Sequence, residues 1–63
     1  MIQSFYFDGG RFIPSETATV NGKRVRRWAH WQLISGAYVL QCQRWLPLRA
    51  ARRDVIDAVR SMV

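Results

Sequence analysis

Apolar and polar positions alternate along most of this chain, and the period lengthens only beyond Pro47. Residues 2–7, Ile-Gln-Ser-Phe-Tyr-Phe, are short and rich in β-formers, which predicts a strand. Asp8-Gly9-Gly10 is turn chemistry, with two glycines able to take positive φ. Arg11-Phe12-Ile13 resumes the β pattern until Pro14, which cannot donate to a ladder and so predicts an edge or a break. Residues 15–20, 23–34 and 37–45 are three further β-prone runs, separated by Asn21-Gly22 and Ser35-Gly36. Asn-Gly suits the two positive-φ positions of a type I′ hairpin turn, and Ser-Gly is a weaker version of the same signal.

If both dipeptides are two-residue turns, the register follows, and directly opposed residues share a face. Val20 then faces Lys23, Ala18 faces Val25 and Glu16 faces Arg27, while Trp31 faces Leu40, Ala29 faces Cys42 and Arg27 faces Arg44. One surface collects Ala18, Val20, Val25, Ala29, Trp31, Leu33, Tyr38, Leu40 and Cys42 and reads as the core side. The other collects Thr17, Thr19, Arg24, Arg26, Trp28, His30, Gln32, Gln41, Gln43 and Trp45 and reads as open. Arg27 and Arg44 are exceptions on the apolar side, where Glu16 is placed to pair with Arg27.

Pro47 suits the first turn of a helix, and Leu48, Ala51, Val55, Val59 and Met62 recur at three- and four-residue spacing. The fold class expected is α+β: an antiparallel β-meander of three to four strands over about residues 2–45, with one C-terminal helix over about 47–62 packed on one face.

The chain has 63 residues and begins with methionine, which suggests a complete single domain spanning 1–63. Cores this small rarely supply more than ~3–5 kcal/mol without a staple or a partner. The usual staples are missing: one cysteine, Cys42, cannot close an internal disulfide, and with one histidine it cannot fill a four-ligand zinc site. Apolar content of 49% nevertheless lies well above the disordered range. A free thiol without an export signal fits a cytoplasmic location. The uncharged stretch from Trp28 to Gln43 is too interrupted by polar residues to read as membrane-spanning.

A net charge of +6 and a pI near 11.2 favour polyanionic partners. On the face read as open, Arg24, Arg26, Trp28, His30 and Trp45 form a basic-aromatic row that suits phosphates and stacked bases together. Arg26 is expected opposite Trp45, within stacking reach. Arg49, Arg52 and Arg53 crowd the start of the helix, where acidic residues are preferred and no good N-cap precedes them, which makes them candidate phosphate contacts. Catalysis is not expected, because Cys42 and His30 fall on opposite faces in this register and no phosphate-cradling glycine motif is present. No cofactor or metal is implied.

Asn21-Gly22-Lys23-Arg24 followed by Arg26-Arg27-Trp28 and Trp31 resembles the basic, tryptophan-bearing strands of the arm-binding domains of tyrosine recombinases and of the plant AP2-type domains. The resemblance implies a three-stranded sheet, backed by one C-terminal helix, whose open face enters the DNA major groove. The basic-aromatic row and the positive charge make the leading expectation a small nucleic-acid-binding (DNA or RNA) accessory or regulatory protein. The rival is a protein–protein interaction module, either a homodimer or an inhibitor or adaptor on a partner protein. A peripheral contact with an anionic membrane surface is a weaker third.

Overall fold

The structure, a computed structural model, describes residues 3–60. Strands β1 (Phe5–Phe7), β2 (Gly10–Val20), β3 (Lys23–Ile34) and β4 (Ala37–Pro47) form one antiparallel sheet in chain order, and helix α1 (Arg52–Arg60) follows. This is the α+β meander with a C-terminal helix that the alternation predicts. Ile2 and Met62, expected in the first strand and the helix stripe, lie outside the described residues.

Each hairpin turns on two residues of positive φ: Asp8-Gly9, Asn21-Gly22 and Ser35-Gly36. Positive φ at both central positions matches the right-handed twist of the flanking strands. The first turn sits one residue earlier than the glycine pair suggests, so Gly10 begins β2. A Cβ on Gly10 would lie 2.6 Å from His30 Nε2, so only glycine leaves room for that ring.

Two bulges interrupt the ladders. Pro14 does not end β2; it pairs with Trp28, and the register then slips so that Ser15 and Glu16 together oppose Arg27. Beyond Phe12 strand β1 no longer covers β2, which is therefore an edge at Pro14, where a missing N–H is tolerated. The Ser15 hydroxyl donates to the Arg27 carbonyl at 3.2 Å, and Arg27 Nη2 meets Glu16 Oε1 at 2.7 Å, so the expected Glu16–Arg27 pair forms.

The second slip falls in β4. Trp31 pairs with Leu40 but His30 pairs with Cys42, leaving Gln41 as the extra residue. A bulge reverses the side on which every later residue of the strand points. Cys42 therefore lies opposite His30, not Ala29; Arg44 lies opposite Trp28, not Arg27; and Trp45 lies opposite Arg27, not Arg26.

The helix is shorter than expected and starts later. Leu48 and Ala51 are exposed ahead of it, and Ala50 takes the place in the core that the stripe gave them. The expectation of an uncapped start is met by half a capping box: Asp54 Oδ2 accepts the Ala51 N–H at 3.0 Å.

The largest correction concerns which face α1 covers. The core is Phe5, Phe12, Trp28, Ala50, Val55 and Val59, with Cys42, Leu46 and Ile56 packed against it. The pleat divides β3 into the two sets expected, but α1 lies on the set containing Trp28 and His30 and leaves the more apolar set outside. Two features decide this. Phe5 and Phe12 project from β1 and β2 to the Trp28 side and build a row of rings there: Trp28–Phe5 at 5.9 Å, Phe5–Phe12 at 5.0 Å and Phe12–His30 at 4.7 Å. The polar residues of that side are partly satisfied: His30 Nε2 and Gln32 Oε1 are 3.1 Å apart, while His30 Nδ1 is shielded without a partner.

Candidate interaction surfaces

The basic-aromatic row does not survive as one surface. Trp28 is 3% exposed and His30 5%, both beneath the helix. Arg26 is half-buried with its Nε shielded and unbonded. Trp45 is 44% exposed but stands on the opposite face, where the Arg27 guanidinium lies 5.6 Å from its ring. Arg52 stacks on Phe5 at 5.4 Å, and Arg53 lines a shallow hollow with Phe7, Ile56, Asp57 and Arg60. Arg24 and Arg49 are exposed and do come together, with Lys23, Pro47 and Leu48, around a hollow of about 450 Å³.

The separation of Cys42 from His30 also fails, for the reason that Gln41 bulges. The two residues are cross-strand partners on the covered face. Their bonds run elsewhere, His30 to Gln32 and the Cys42 thiol to the Gln43 carbonyl at 3.9 Å. Among the described residues there is no group of three or more histidine, cysteine or acidic residues able to hold a metal ion. Among them too, no helix is long and apolar enough to cross a membrane.

What the inversion exposes is the other face. Register places Tyr6, Arg11, Ile13, Ala18, Val20, Lys23, Val25, Arg27, Ala29, Trp31, Leu33, Tyr38, Leu40 and Trp45 there together. Leu33 is 49% exposed and Tyr6 67%; Val20, Tyr38, Leu40 and Trp45 are exposed as well. No element among the described residues covers them. Two cations stand within this face: Arg11, 5.5 Å from the Tyr6 ring, lies between Tyr6 and Trp31, and Arg27 on β3 is held between Glu16 and Trp45. Toward the β3–β4 turn, Ala29, Trp31, Leu33, Tyr38 and Leu40 form an uncharged end. The tip of the β3–β4 hairpin is apolar on both sides, because Ile34 and Val39 are exposed on the reverse.

Sequence reasoning assigned Trp31, Leu33, Tyr38 and Leu40 to the core, and it gave Tyr6, Arg11 and Lys23 no role in binding. The signal that could have found the first group was already present: nine helical residues cannot cover both faces, and Phe5 and Phe12 needed a place to pack. No protein-family model, curated protein or solved structure matches this chain.

Proposed function

We propose that this chain is a non-enzymatic protein-interaction module whose open sheet face packs against the same face of a second copy to form a homodimer. The observation that carries the reading is that the uncovered face of the sheet is its more apolar face. Contiguous exposed apolar surface of this kind marks an interaction site.

The occupant's chemistry follows from the charges. Only Arg11, Lys23 and Arg27 of the ten basic residues lie on this face, and its end toward the β3–β4 turn has none. An acidic partner would find no cation to meet at that end, whereas an identical apolar end is complementary to it, as a two-fold interface requires. Three strands at ~4.8 Å spacing and ~35 Å length give a planar footprint of ~500 Å², which side-chain relief brings toward the ~800 Å² per partner of a standard interface. The bulge at Gln41 interrupts the free edge of β4 and disfavours dimerisation by strand addition. Such a dimer would also supply burial that so small a core lacks.

Sedimentation equilibrium over a wide concentration range tests the reading. The expected result is a dimer that becomes monomeric, still folded, when Leu33→Glu and Leu40→Glu are combined. A wild-type monomer at every concentration, or a dimer indifferent to both substitutions, contradicts it.

A further inference from the structure

The hollow beside the Asn21-Gly22 turn has a chemistry different from that of the open face. Lys23, Arg24 and Arg49 line it over a floor of Pro47 and Leu48. None of the four acidic residues lines it. Asp8 pairs with Arg60, Glu16 pairs with Arg27, Asp54 caps α1, and Asp57 lines the hollow at the far side of the helix.

The hollow is also held in shape. The Leu48 N–H donates to the Arg24 carbonyl at 3.2 Å, which fastens the β4–α1 connection to the start of β3 and keeps Arg49 near Arg24. Arg24 Nη1 donates to Thr19 Oγ1 at 3.2 Å and Nη2 to Thr17 Oγ1 at 3.3 Å. Two hydroxyls from one strand face thus position the guanidinium, and its remaining N–H groups are available to an anion. A preorganised guanidinium loses less freedom on binding than a mobile one. Three like charges around one hollow repel each other in the free protein, and a bound anion relieves that cost.

We propose that this hollow binds the backbone phosphates of a nucleic-acid strand. Regularity of charge favours that polyanion over an acidic polypeptide. Every unit of a nucleic-acid strand carries a charged phosphate, whereas a polypeptide is charged only where its sequence places an acidic residue. A phosphate also accepts paired N–H bonds from a guanidinium held as Arg24 is. The site shares Lys23 with one end of the open face but none of the apolar residues toward the β3–β4 turn, so it stands or falls separately from the dimer reading.

Fluorescence anisotropy with a short labelled oligonucleotide of mixed sequence, single-stranded and as duplex, at ~50 and ~200 mM salt, tests it. Lys23→Gln, Arg24→Gln and Arg49→Gln are combined in one variant. A control of equal net charge combines Arg52→Gln, Arg53→Gln and Arg60→Gln. All six side chains are exposed, and thermal melts confirm that both variants fold. The hollow variant is expected to bind at least ~10-fold more weakly than wild type, with the slope of log affinity against log salt reduced by ~2–3, while the control keeps most of its affinity. Equal losses in the two variants would show diffuse attraction by net charge and overturn the proposal. Absent binding by wild type, unchanged binding by the hollow variant, or displacement by polyglutamate as effective as by unlabelled oligonucleotide overturns it too.

Discussion

Odd-numbered residues of β3 look to solvent and even-numbered ones toward α1, yet Val25, Ala29, Trp31 and Leu33 belong to the first set while Arg24, Arg26, His30 and Gln32 belong to the second. The covered face is the more polar of the two. The difference teaches that coverage is decided by what can reach a face and pack there, not by a ranking of its hydrophobicity. Phe5, Phe12 and Trp28 offer Val55 and Val59 a deep aromatic bed, and the His30–Gln32 bond offsets part of the penalty of burying polar groups beside it, with His30 Nδ1 and Arg26 Nε left unbonded. On the open face the apolar residues are spread along the length of the sheet, beyond the reach of a nine-residue helix.

The two faces should respond differently to substitution. Phe12→Ala removes a fully buried ring from the stack and is expected to cost ~3–5 kcal/mol, enough to unfold so small a domain at every protein concentration, as thermal melts followed by circular dichroism would show. Gly10→Ala strikes the same face through the backbone, driving a Cβ into His30 and parting it from Gln32. An expected loss of ~1–3 kcal/mol would appear as a lowered denaturant midpoint. Asp54→Ala removes the helix cap and should cost ~0.5–1 kcal/mol in the same assay. On the open face, Leu33→Ala is expected to change monomer stability by less than ~0.5 kcal/mol and to lower Tm only at concentrations where the dimer forms. Equal, concentration-independent losses at Phe12 and Leu33 would erase the distinction between the faces.

The sheet was legible in the sequence because its signals are local. Asn21-Gly22 and Ser35-Gly36 fix two turns, alternation fixes the partition of β3, and Val55 with Val59 fixes the helix stripe. Two things were hidden. No residue type marks Gln41 as a bulge, so Cys42, Arg44 and Trp45 each emerge on the face opposite to that expected. Pairing Phe5 with Phe12, and Phe12 with His30, depends on a turn that begins at Asp8 and on a slip beyond Pro14. The aromatic contribution of β1 and β2 to the core therefore could not be assigned by register alone. Of the residues expected to bind, Arg24 and Arg49 share a surface, whereas Trp28 and His30 are core.

Isotope-filtered nuclear Overhauser spectroscopy on an equimolar mixture of labelled and unlabelled protein addresses the central claim most directly, because it reports only contacts between copies. Cross-peaks between copies are expected from Trp31, Leu33 and Leu40, while Trp28 shows contacts only within its own chain, to Phe5 among others. Cross-peaks between copies at Trp28 or Phe12, or none at Trp31, Leu33 and Leu40, would contradict the assignment of the open face to a second copy.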